Sequence, residues 1–82
     1  GDGAKTVSLM EEVYTLRKGK LGADHPDTFL AMSNWGEAHG TAGAVDRAVP
    51  LLEQAVAGLT EKLGPDHPDT LAAQRNLSYG YR

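Results

Sequence analysis

The octapeptide Leu21-Gly22-Ala23-Asp24-His25-Pro26-Asp27-Thr28 returns 42 residues later as Leu63-Gly64-Pro65-Asp66-His67-Pro68-Asp69-Thr70, with seven of its eight positions identical. The same offset pairs residues 1–40 with 43–82 and adds seven identities outside the string: Gly1/Gly43, Val7/Val49, Leu9/Leu51, Glu11/Glu53, Lys20/Lys62, Ala31/Ala73 and Asn34/Asn76. Average residue usage gives about two or three such matches by chance. The chain is a tandem repeat. Repeats of this length are supersecondary units that cannot bury an apolar face alone, so neighbours must stack to form a shared core.

The residues within one period describe two helices. Pro26 and Pro68 suit the first helical position, where a missing N–H costs nothing, and proline disfavours helical geometry in the histidine before it. Asp27 and Asp69 then fall in the first turn, where negative charge complements the helix dipole. We read the aspartates of the string as caps and the histidines as turn packing. From there Thr28, Ala31, Trp35 and Ala38/His39 share one face, echoed by Thr70, Ala73, Leu77 and Tyr81. The pattern breaks at Gly40-Thr41-Ala42-Gly43, and a second helix follows with a stripe of Val45, Ala48/Val49, Leu52, Ala55/Val56, Leu59 and Leu63. The opening segment repeats that second helix through Val7, Met10, Val13/Tyr14 and Leu16. Four helices are expected, over about 4–18, 27–39, 44–62 and 69–81. Composition agrees: Ala and Leu dominate and Ile is absent, which favours helix over sheet. The expected fold class is all-α.

The string, with the Asn and the small residue that follow it, resembles the tetratricopeptide repeat in its long, kinesin-light-chain-like form, also found in bacterial signalling proteins. The resemblance covers essentially the whole chain and implies a right-handed αα-solenoid. It places Trp35 and Leu77 at the large apolar position of the first helix and Gly36 and Ser78 at its small position. His39 and Tyr81 take its aromatic position, while Ala48, Leu52 and Ala55 match the second helix. Thr6 and His39 depart from the pattern, and the two copies differ at Trp35/Leu77 and Ser33/Arg75. The chain reads as one repeat fragment, 1–82, divided as 1–42 and 43–82 and starting at a second helix. Its ends cut across repeats and carry no polar cap.

The resemblance also implies a function: protein–protein interaction, with a partner segment held in the concave groove lined by first helices. The positions carried over are Leu30, Ser33, Asn34, Glu37 and Thr41 from the first copy and Ala72, Arg75, Asn76 and Tyr79 from the second. An Asn amide pairs with both sides of a peptide bond, Arg75 suits a carboxylate, and Tyr79 offers a flat contact. The blander role for Asn34 and Asn76 is to hold neighbouring parts of the stack together. With two first helices in the groove, affinity for a short peptide is expected at about micromolar or weaker. The alternative is a structural spacer whose uncapped solenoid ends stack on further repeats or form a homo-oligomer.

Other functions find little footing. A net charge of −3 argues against nucleic acid and anionic membranes as partners. Zero Cys removes thiolate catalysis and Cys-ligated zinc. No nucleophile motif or phosphate loop is present, so no enzyme is expected. Asp24, His25 and Asp27 with their second copies look like metal ligands, yet they serve a helix start better, and no metal or cofactor is expected. No apolar run approaches the roughly 18 residues of a membrane span and no signal pattern is seen, so a soluble, cytoplasmic chain is the default expectation.

Overall fold

The computed structural model describes residues 2–79, with side chains from 3 to 78. Four helices account for nearly all of it: α1 (Asp2–Leu21), α2 (Pro26–Thr41), α3 (Val45–Leu63) and α4 (Pro68–Tyr79). The described residues contain no strand. The expected span 69–81 begins one residue late, and its residues 80 and 81 lie outside the described residues. The first helix outruns its expected end at 18. Gly19 costs helix stability without ending the helix; the stop is Gly22, whose φ of 95° is open to glycine and hostile to other residues.

The repeated octapeptide is a complete turn between a second helix and the next first helix. Gly22 N donates to Lys18 O at 3.0 Å, and Gly64 N donates to Thr60 O at the same distance. Pro26 then opens α2, preceded by His25 in extended geometry, φ −73° and ψ 139°. His25 is the N-cap, and this corrects the expectation. Its Nδ1 accepts from Asp27 N at 3.0 Å, and His67 Nδ1 accepts from Asp69 N at 3.1 Å. The imidazole lone pair meets an orphan first-turn N–H, the task usually given to Ser or Asp. Asp27 and Asp69 contribute first-turn charge, and Asp69 Oδ2 also lies 3.9 Å from His67 Nδ1. Thr28 Oγ1 closes the turn by donating to Gly22 O at 2.8 Å. Thr70 sits in the matching place, yet its buried Oγ1 has no partner; nothing in the structure explains the difference.

Helix α2 is the hub. It packs against α1, α3 and α4, whereas among the described residues α1 meets neither α3 nor α4. Three neighbours bury more of α2 than one apolar stripe. Thr28, Ala31 and Ala38 are buried as their shared face implies, and Met32, Ser33 and Gly36 are buried as well. Small side chains let the helices close up. A Cβ on Gly36 would stand 2.9 Å from Leu52 Cγ, and one on Gly58 would enter the Phe29 ring. Leu52 and Leu59 are the large side chains fully removed from water. The rest of the core is mainly Ala and Thr, with Met32 and Ser33.

The stripe of α3 is borne out at Ala48, Leu52, Ala55 and Leu59, all buried, and fails at Val45, which is exposed at the helix start. On α1 the expected stripe fails at its end. Leu16 is 60% exposed, because among the described residues α1 packs only against α2. Between them, Tyr14 meets Trp35 with ring centroids 5.3 Å apart, and Trp35 meets His39 at 5.9 Å. His39 is thus a half-buried packing residue in the aromatic position.

Candidate functional site

The residues selected from sequence occupy two stripes, one on each first helix. On α2, Leu30 is half-buried, Ser33 is buried, and Asn34, Glu37 and Thr41 are exposed. On α4, Ala72 and Arg75 are exposed and Asn76 is half-buried, while the side chain of Tyr79 lies outside the described residues. Among the described residues a direct bond joins the stripes: Asn76 Nδ2 donates to Ser33 Oγ at 3.2 Å. That bond satisfies a hydroxyl that burial would otherwise leave costly, and it sets α4 against α2. It also commits one amide hydrogen of Asn76 to the stack. Asn34, its equivalent one repeat earlier, is exposed.

The two stripes do not share a cavity. Asn34, Glu37 and Thr41 line a hollow of about 290 Å³ between α1 and α2, completed by Gly3, Thr6, Met10 and Ala38. Its floor is apolar and its α2 rim carries an amide, a carboxylate and a hydroxyl. Arg75 lies instead on a shallow surface of α4 with Leu71, Gln74, Leu77 and Ser78. A third hollow, of about 300 Å³, runs further along α1 between Val13, Leu16, Arg17, Lys20 and Leu21. Arg17 is anchored there, its Nη1 donating to Asp27 O at 3.2 Å. This α1 surface was not among the sequence-selected residues. Its signal was the apolar residues Leu9 and Leu21, which fall outside the expected stripe of this helix and are exposed together with Leu16.

The histidines that resemble metal ligands each turn Nδ1 toward a backbone N–H. Among the described residues no three His, Asp or Glu side chains converge.

The two helix-turn-helix units share the repeated octapeptide turn, and a family match decides what they are. The tetratricopeptide repeat family model aligns with residues 28–69, just over half of the 82-residue chain. The chain belongs to the tetratricopeptide repeat family. The match runs from Thr28 near the start of α2, through α3, to Asp69 at the start of α4, one 42-residue period of this tetratricopeptide repeat protein. It establishes the family and not the kinesin-light-chain-like subtype. No curated protein and no solved structure matches the chain. Tetratricopeptide repeats are non-catalytic modules that generally mediate protein–protein interaction. No helix of the described residues is long and apolar enough to cross a membrane.

Proposed function

We propose that this tetratricopeptide repeat chain binds a segment of a partner protein against the inner stripes of α2 and α4, using the hollow between α1 and α2 as its anchor. The observation that carries this reading is the hollow itself, where Asn34, Glu37 and Thr41 rim an apolar floor made by Met10 and Ala38. A small apolar pocket with a few polar groups at its edge is the usual composition of a site that seats one side chain and orients its backbone. Glu37 and Arg75 place opposite charges along the surface, so the reading favours a segment of mixed charge.

The structure also selects the variants. Asn76 is bonded to Ser33, so altering it would disturb the stack. Asn34 and Arg75 are exposed and change the surface alone. Peptides selected on the chain from a displayed random library would be titrated calorimetrically into the wild type and the Asn34→Ala/Arg75→Ala variant. We expect binding at least about ten-fold weaker in the variant, about 1.4 kcal/mol. Unchanged affinity, with helicity preserved, would overturn the reading.

A further inference from the structure

The exposed faces of α1 and α4 are the two halves of an interface that the chain already contains. Within the molecule, α3 packs on α2 with Gly36 against Leu51 and Leu52 and with Gly58 against the Phe29 ring. Moving each residue by the 42-residue period converts the α3 side into α1 and the α2 side into α4. Leu51, Leu52 and Gly58 become Leu9, Met10 and Leu16. Phe29 and Gly36 become Leu71 and Ser78. Among the described residues no further helix covers Leu9, Leu16 or Leu71, which are 56%, 60% and 44% exposed. The large member shrinks from Phe to Leu on α4 where the small member grows from Gly to Leu on α1.

The polar contacts carry over in the same register. Asn76 bonds Ser33 inside the molecule. One period earlier Asn34 is the equivalent amide, and the residue equivalent to Ser33 on α4 is Arg75. An α4 helix laid over α1 and α2 brings Arg75 to Asn34, in the hollow whose rim carries Glu37. A cation thus arrives at a carboxylate. Both apolar hollows along α1 fall under the same helix.

We propose that the occupant is a second copy of this chain, its α4 docked head to tail on the α1/α2 face of the first. The proposal rests on the groove reading above and names its partner. Each α1·α4 contact follows the register of the α2·α3 interface and continues the stack, with the unbranched Met10 in place of Leu52 making room for Ser78 where Gly36 stands inside the molecule. Because the two faces differ, the contact is heterologous and leaves one of each open, so association proceeds beyond a dimer.

The test is sedimentation velocity on the 82-residue chain, with helicity at 222 nm as the folding control. The wild-type mass should rise continuously with concentration. Leu16→Glu retains a working α4 face, and Leu71→Glu retains a working α1 face. Each variant alone should stay at the mass of one chain, and an equimolar mixture should give twice that mass and no more. Arg75→Glu added to the Leu16→Glu chain should abolish the mixed dimer, and Glu37→Arg in its Leu71→Glu partner should restore it. A wild type that stays at the mass of one chain up to about millimolar overturns the proposal, as do single variants that still associate or a mixture that does not pair. Library-peptide binding that survives in a chain without self-association would leave the groove reading standing while this proposal fails.

Discussion

Replacing Gly36 by Ala separates the packing account from helix propensity, because the two predict opposite signs. Ala is favoured over Gly inside a helix by about 1 kcal/mol, so propensity alone makes Gly36→Ala stabilising. The structure opposes this. The new methyl would stand 2.9 Å from Leu52 Cγ, 3.1 Å from Leu52 Cδ2 and 3.2 Å from Leu51 Cβ, where carbons at rest keep about 3.5–4.0 Å apart. Leu52 is 0% exposed and cannot swing into solvent, so α2 and α3 must move apart by roughly half an ångström or more at their closest point. Overpacking of this kind costs about 1–3 kcal/mol. Set against the propensity gain, the net is a loss of about 1 kcal/mol, or about 4–8 °C in Tm for a domain of this size. Gly19 supplies the control. It lies inside α1 with nothing within 4 Å of a built Cβ, so Gly19→Ala should gain up to about 1 kcal/mol. Urea unfolding followed at 222 nm reads both. If Gly36→Ala stabilises the chain as much as Gly19→Ala does, the close approach of α2 and α3 is wrong.

Further outcomes follow from individual side chains. His25→Ala and His67→Ala should each lose about 1 kcal/mol by uncapping a helix, and His25→Asn should recover most of the loss because its side-chain oxygen takes over the acceptor role; equal stability of His25→Ala and wild type in urea would contradict the cap. Thr28→Val removes the bond to Gly22 O and should cost about 1 kcal/mol, while Thr70→Val removes a buried hydroxyl without a partner and should be neutral or stabilising. Thermal melts that rank the two valine variants the other way would refute that contrast. Leu52→Ala should cost about 2–5 kcal/mol by opening a cavity, a large share of the stability of so small a core; a shift of only a few degrees in Tm would contradict the burial assigned to Leu52.

Local chemistry in this chain was legible, and the number of neighbours was not. The octapeptide announces its turn because each residue does a task set within a few bonds: Gly22 adopts φ 95° and Pro26 opens α2. Assigning the cap to Asp rather than to His25 followed usual preference, since capping by imidazole depends on where Nδ1 points. The stripe of α3 was readable because that helix presents one main face to the core. Helix α2 was read as having one buried face, whereas three neighbours bury Met32, Ser33 and Gly36 too. Leu16 failed for the reverse reason. Periodicity marks it as apolar and in phase, but only the fold shows that no second helix among the described residues packs over that part of α1. The groove stripe was placed by resemblance, and the structure adds that Ser33 and Asn76 are engaged with each other while Asn34 and Arg75 face outward.

The most direct test of the groove is amide chemical-shift mapping. A ¹⁵N-labelled chain carrying Leu16→Glu and Leu71→Glu, which removes the self-association proposed above, would be titrated with a library-selected peptide. The account predicts that the largest shifts cluster at Asn34, Glu37 and Thr41 on α2 and at Ala72 and Arg75 on α4, with α3 quiet around Glu53, Gln54 and Glu61. Shifts concentrated on that exposed face of α3, with the α2 stripe unmoved, would contradict it.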